Sequence, residues 1–287
     1  AFTRLYRLAA GPAGILATGE TIVDLRIEAL VDAAVLESGS WSLGDSTGDL
    51  SRVIVYDASG EVSEEIDLIA AGVPRATVER WSAGEPIAYV ATAPLGGSFT
   101  IADAQLDSGT VLVDGIVTPD GFVSAGFSDR FSSRIVWTST DGTTWQGEPV
   151  GVVANEQADE IGLVGGRITT FASQGPILTV QQQRGGTWRE SRLDALFGKP
   201  NDDYLLMDAA FHNSGVAAVV GTVGQSESTT LWLARSDDAR SWTVTPLGEA
   251  LGVTGAISRV NSIALDGDQV AVSFTGGGTS RFVVVDR

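Results

Sequence analysis

The chain has 287 residues, 43% of them hydrophobic, with 35 glycines and 9 prolines, a composition that suits a large folded core and excludes collagen-like and disordered chains. Its formal charge of −18, from 36 acidic and 18 basic residues, repels phosphate backbones and anionic lipid, so nucleic acid is not an expected partner. There is no cysteine and a single histidine, His212, which removes disulfides, thiol nucleophiles and Cys- or His-rich metal sites together.

The N-terminal "AFTRLYRLAA" lacks the long apolar core of a signal peptide, and no run approaches the roughly 18 apolar residues of a spanning helix. The start at Ala1 reads as that of a mature or trimmed chain. Onward from there, short runs rich in Val, Ile, Thr, Phe and Trp recur at strand-and-turn spacing, separated by Gly, Asp, Asn and Ser, which predicts an all-β fold. Helical pieces are expected only near Ala154 to Ile161 and Leu193 to Phe197.

A longer period underlies the strands. In chain order its copies begin at Thr21 ("TIVDLRIEALVDAAVLE"), Ala76 ("ATVERWSAGEPIAYVAT"), Val111 ("VLVDGIVTPDGFVSAGFS"), Asp159 ("DEIGLVGGRITTFAS"), Leu205 ("LLMDAAFHNSGVAAVVGT") and Ser258 ("SRVNSIALDGDQVAVSFTG"). Spacings of about 35 to 60 residues are those of propeller blades. Each unit adds a third and fourth strand, as in "RIVWTSTDGTTWQGEPV" and "LWLARSDDARSWTVTPL". The prediction is a single β-propeller domain over 1–287 of about six four-stranded blades. Its units are 9–70, 71–106, 107–151, 152–198, 199–248 and 249–287, the last closed by residues 1–8 as its fourth strand, which would leave no open edge between first and last blades. Runs such as "VAAVV" and "FVVV" are expected to be buried on both faces.

The stretch Ser139, Asp141, Gly142, Thr144 and Trp145 resembles the Asp box of BNR-repeat, sialidase-like propellers. Ser236, Asp238 and Trp242 keep most of it, with Ala239 in place of Gly. Gly185 and Trp188 keep its second half, with Gln182 and Arg184 departing, and "YDASGEV" keeps only a turn. An Asp in a tight hairpin accepts hydrogen bonds from turn amides, Gly permits positive φ, and Trp buries a large area between blades, so a structural role is expected. In the resembled families these boxes lie on the rim, away from the ligand.

A second register places Asp24, Glu79, Asp114 and Asp208 just after an apolar triplet at the start of first strands, with Asn261 and Gly162 in the other two units. If first strands line the channel, this is either a ring of oxygen ligands for Ca²⁺ or a set of side chains tying down neighbouring strand-end amides. No other cofactor is implied.

Tight turns ("TPDG", "HNSG", "LDGD") and the Asp boxes should share one face, leaving longer loops on the other. Candidates for ligand or partner binding there are Trp41, Arg130, Phe131, Arg134, Glu156, Asp202, Asp203 and Tyr204. His212 sits beside a tight turn, away from them. The resemblance implies a secreted or cell-envelope protein that binds a protein or carbohydrate without catalysis. Its alternatives are a sialidase-like glycoside hydrolase, whose arginine triad and Tyr/Glu nucleophile are not recognisable here, and an assembly factor resembling photosystem-assembly propellers.

Overall fold

A computed structural model describes residues 3–21, 40–44, 51–73, 75, 78–79, 87–101, 110–128, 133–150, 160–224 and 229–286. They form six antiparallel sheets. Sheet 1 joins β1 (Thr3–Gly11), β2 (Gly14–Thr21), β6 (Ile87–Ala93) and β7 (Thr100–Ile101), and sheet 2 joins β3 (Ser40–Leu43), β4 (Arg52–Tyr56) and β5 (Val62–Asp67). Sheet 3 is β8 (Thr110–Thr118), β9 (Gly121–Ser128), β10 (Ser133–Ser139) and β11 (Gln146–Val150). Sheet 4 runs β12 (Glu160–Val164), β13 (Arg167–Gln174), β14 (Ile177–Arg184) and β15 (Thr187–Arg192). Sheet 5 runs β16 (Asp203–His212), β17 (Gly215–Val223), β18 (Thr229–Ser236) and β19 (Thr243–Pro246), and sheet 6 runs β20 (Ile257–Asp266), β21 (Gln269–Gly276) and β22 (Thr279–Asp286).

The fold is an all-β propeller. Its meanders form because two-residue turns match the twist of the flanking strands; in sheet 4, Gly165 and Gly166 (φ 57° and 70°) and Gly185 and Gly186 (φ 56° and 77°) take the doubly left-handed turn that such hairpins require. Successive blades bury apolar side chains against each other. Phe171, Val180 and Val216 share one cluster between sheets 4 and 5, and Val219, Leu233, Val272 and Phe274 another between sheets 5 and 6. Strand β17, which contains "VAAVV", is buried on both faces from Gly215 to Thr222, as its unalternating sequence predicts.

Four expectations are corrected. The N-terminal strand does not close the last blade: β1 pairs with β2 from Thr3↔Thr21 to Gly11↔Gly14, because the two-residue Pro12-Ala13 turn brings these strands together locally, with far less chain to order than a pairing between opposite ends. The unit 9–70 is therefore split, its first strand joining β6 of the next unit. Consequently β22 pairs only with β21 among the described residues, and "FVVV" is not buried on both faces, Phe282 being 67% and Val284 47% exposed. Leu193 to Phe197 does include a 3₁₀ turn, Asp194–Phe197, whereas the end of the other predicted helical piece, Glu160 and Ile161, is the start of β12.

Candidate functional site

Strands β1, β8, β12, β16 and β20 surround an axial cavity of about 630 Å³, lined by Arg7, Ile116, Leu163, Phe211, His212 and Leu265 among others. Sheet 2 contributes no described residue to it. Counting back four residues from the last paired residue of each first hairpin places Arg7, Asp114, Glu160, Asp208 and Ser262 at one level around the axis. Bulges at Leu5/Arg7, Leu112/Asp114, Leu206/Asp208 and Val260/Ser262 precede this level. A bulge bends its strand and re-aims the side chain that follows.

These groups bind the blades together. The buried Asp114 accepts from its own Gly115 N–H at 2.7 Å through Oδ1 and from Ile161 N–H of sheet 4 at 2.9 Å through Oδ2, while Arg7 Nε of sheet 1 lies 2.9 Å from Oδ1. Asp208 repeats the pattern, accepting from Ala209 N–H at 2.9 Å and from Ile263 N–H of sheet 6 at 2.8 Å. Between them, Glu160 is hydrogen-bonded to Asp114. Burial, and then the Asp114 carboxylate, push the Glu160 carboxyl up to about 9, which favours its protonated form. Burial also raises Asp114, against the pull of Arg7.

Of the residues that the sequence register picks out, the structure places Asp114 and Asp208 at this level. Glu79 lies exposed in a short helical segment, Asp24 is outside the described residues, and the level expected of Gly162 and Asn261 is occupied by Glu160 and Ser262. Counting apolar triplets overlooks bulges; counting back from the turn finds Arg7 and Glu160. Among the described residues, no three His, Cys, Asp or Glu side chains are grouped to hold a metal.

The turn face carries the Ser139–Trp145 turn. Asp141 Oδ1 accepts from Thr143 N–H and Thr144 N–H, both at 2.8 Å, and from Ser139 Oγ at 3.1 Å, and Gly142 N–H donates to Ser139 Oγ at 2.8 Å. These bonds, led by that from Thr144 N–H, hold Asp141 far below the usual carboxylate range. Its proton affinity is thus too low for general acid or base work near neutral pH. Asp238 accepts in the same way from Arg240 N–H and Ser241 N–H at 2.8 and 2.9 Å, with Ala239 at φ 58°. Trp145, Trp188 and Trp242 pack into successive inter-blade clusters, and Trp242 meets Phe171 edge-on at 5.6 Å. Gly142 is buried at φ 76°, and a Cβ there would lie 2.4 Å from Thr92 Oγ1 of sheet 1. We expect Gly142→Ala to cost about 2 kcal/mol or more, from left-handed strain plus that clash; urea denaturation equal to wild type would refute it.

The loop-face candidates separate sharply. Arg134 is 0% exposed and donates to Thr179 Oγ1 of sheet 4 at 3.1 Å, so it joins blades and is not a surface ligand group. Tyr204, 1% exposed, lies with its hydroxyl 3.0 Å from the Asp194 carbonyl and 2.8 Å from that of Lys199; it anchors a loop from beneath. Both were misplaced because a charged or phenolic side chain near a loop reads as exposed until its partners are known. Trp41 is half-buried within β3, opposite Val55. Arg130, Phe131 and Glu156 fall outside the described residues. Asp202 and Asp203 do stand together at the loop-face start of β16, Asp203 exposed and Asp202 half-buried. Nearby, Pro176, Arg192, Asp194, Lys199 and Pro200 line a pocket of about 500 Å³. His212 Nδ1 lies 2.8 Å from Ser214 Oγ, which also bonds the Gly267 carbonyl, a turn contact between sheets 5 and 6.

No protein-family profile and no curated protein matches the chain. Among solved structures it is similar to the β-propeller domain of the Trilobed protease from Pyrococcus furiosus, with 8% identity and a TM-score of 0.47, covering 99% of this chain and 81% of that one. It is also similar to a Hadza microbial sialidase (12% identity, TM-score 0.45, 99% and 65% covered). A third is an α-L-arabinanase of Penicillium chrysogenum complexed with arabinobiose (13% identity, TM-score 0.39, 59% and 60% covered). The chain thus spans less than two thirds of the sialidase and arabinanase chains.

Proposed function

We propose that this chain is a non-catalytic binding or scaffold propeller of the Asp-box, BNR-repeat kind. In this reading it works in the secreted or cell-envelope compartment and recognises a protein or a glycan through its long-loop face. The observation that carries it is the rigid loop between sheets 4 and 5. Gly198 takes a left-handed turn (φ 64°), Arg192 and Asp194 form a two-contact ion pair at 2.9 Å, and Tyr204 is held against two loop carbonyls. A pre-ordered loop loses little entropy on binding, and this one presents Lys199, the only lysine in the chain, beside a pocket and the exposed Asp203. The test is a titration of wild-type protein and the Lys199→Ala and Asp203→Asn variants against an array of glycans and extracellular proteins. The expected result is a ligand whose affinity falls about tenfold in the variants; retention of every affinity in both would overturn the loop-face assignment.

A glycoside hydrolase is the second reading, favoured by one feature. The protonated Glu160 in contact with Asp114 is an acid beside a carboxylate, the two protonation states that glycoside hydrolysis uses. Against it, both Asp114 oxygens are already bonded to backbone N–H groups. Turnover of a glycosidase substrate panel that vanishes in Glu160→Gln would establish it over the binding reading.

A further inference from the structure

The outermost strand of a blade turns a row of backbone N–H and C=O groups to the outside, and proteins blunt such edges with short strands, prolines and charges. Four blades of this chain follow the rule. The outer strand of sheet 1, β7, has two residues; β11 of sheet 3 carries Glu148 and Pro149; β15 of sheet 4 carries Arg189, Glu190 and Arg192; and β19 of sheet 5 has four residues and ends on Pro246. Sheet 6 departs from it. Its outer strand, β22, runs eight residues through "FVVV" with neither proline nor lysine, and its ladder with β21 has no bulge from Gln269↔Asp286 to Gly276↔Thr279.

Sheets 3, 4 and 5 each lay a fourth strand on the third, whereas β22 pairs only with β21 among the described residues. Ser236 lies opposite Val216, the second residue of β17, and Val285 lies opposite Val270, the second residue of β21. Val285 thus takes the place of Ser236. A strand laid on β22 as β19 lies on β18 would set three residues opposite Val284, Val283 and Phe282, as Thr243, Val244 and Thr245 stand opposite Arg235, Ala234 and Leu233. Phe282 and Val284, 67% and 47% exposed, would gain cross-strand neighbours, while Val283 and Val285 already pack on the cluster between sheets 5 and 6.

The aromatic residue that leads such a strand also has a place. Trp145 and Trp242 stand one residue before the pairs Gln146↔Thr138 and Thr243↔Arg235, and both pack toward the preceding blade. At the matching end of β22, a pocket of about 730 Å³ is lined by Arg235, Asp237, Asp238 and Trp242 of sheet 5 and by Asp268 of the β20–β21 turn. Arg235 Nη1 donates to the Asp286 carbonyl at 3.0 Å, which places this pocket at the end of the unguarded edge. Three aspartates against one arginine make its rim acidic.

We propose that β22 takes an extended segment of another protein as a fourth strand. The segment carries an aromatic residue that enters the pocket, a basic residue shortly before it that meets the aspartates, and β-forming residues after it. A second copy of this chain fits less well: both bodies would carry −18 and repel, and one eight-residue edge on another falls short of the roughly 1,200 Å² at which stable interfaces begin. The surface lies on the outer rim and turn face and is independent of the loop-face reading.

The test uses the intact chain and a dye-labelled peptide of its own residues 240–247, RSWTVTPL, followed by fluorescence anisotropy. Saturable binding is expected, weaker by about tenfold or more for the peptide with Trp242→Ala. Alternate residues of an added strand turn their N–H groups to the ladder, so N-methylation at Thr243 and Thr245, or at Trp242 and Val244, should weaken binding in one of the two patterns only. In the protein, Phe282→Lys combined with Val284→Lys changes exposed positions and should weaken binding about tenfold by blunting the edge, with the circular dichroism spectrum unchanged. Lys199→Ala on the loop face should leave binding as it is. No binding at millimolar peptide, equal loss in both methylation patterns, or unchanged affinity in the double lysine variant would overturn the proposal. A dimer in sedimentation that the double lysine variant dissolves would also overturn it, by giving the edge to a second copy.

Discussion

Replacing Asp114 by Ala is expected to destabilise the protein by about 3–5 kcal/mol, as removal of one partner from a buried charged network does. The carboxylate joins three sheets: it faces Arg7 of sheet 1, belongs to sheet 3 and accepts the Ile161 N–H of sheet 4. Its loss leaves the Gly115 and Ile161 N–H groups without their acceptor in a buried setting, each such orphan costing about 1–3 kcal/mol. Arg7 is half exposed and re-solvates, which keeps the total from being larger. Asp208→Ala removes the same kind of clasp between sheets 5 and 6, with no arginine partner among the described residues, and should cost less. Equilibrium urea denaturation reads both, and a loss below about 1 kcal/mol for Asp114→Ala would show that the ring is not what joins these blades.

The second large effect is a dependence on alkaline pH. In the unfolded chain Glu160 ionises near its ordinary value of 4.5, whereas in the fold it holds its proton to about 9. The native state therefore binds more protons across this window. Its contribution to stability is full below about pH 4.5 and declines as pH rises toward 9, with a limiting slope of about 1.4 kcal/mol per pH unit for one proton. Glu160→Gln keeps a neutral hydrogen-bond donor at the position and does not ionise. Its stability should be flatter from pH 5 to 9 and should exceed that of wild type toward pH 9. Parallel curves of stability against pH for the two proteins would sink this assignment of the proton.

The repeated meanders, hairpin turns and inter-blade tryptophans were legible in the sequence because they rest on local chemistry. A two-residue Gly turn, an Asp beside turn amides and a run such as "VAAVV" carry their structural meaning wherever they occur. Asp114 and Asp208 were legible as a register, although the two readings of that register, cation ligand and strand clasp, use the same residues. The clasp contacts themselves involve the Ile161 and Ile263 N–H groups, which belong to other blades and carry no mark in the local sequence.

The remainder was decided by tertiary structure. The apolar-triplet register does not reach Glu160 because β12 arrives at the ring level without the bulge found in four other first strands, so its residue count differs. Arg134 and Tyr204 are typical surface residues by composition, yet Thr179 Oγ1 of another sheet and two loop carbonyls meet them in the interior. The N-terminal strand resembles an outer strand of the last blade but pairs locally through Pro12 and Ala13. Composition and periodicity thus determined that this chain forms repeated β-meanders with structural Asp turns. The pairing of β2 with β6, and which charges meet at the axis, depended on contacts between residues about 50 or more positions apart, such as Thr21 with Ile87, Arg7 with Asp114 and Asp208 with Ile263, whose energies no local pattern encodes.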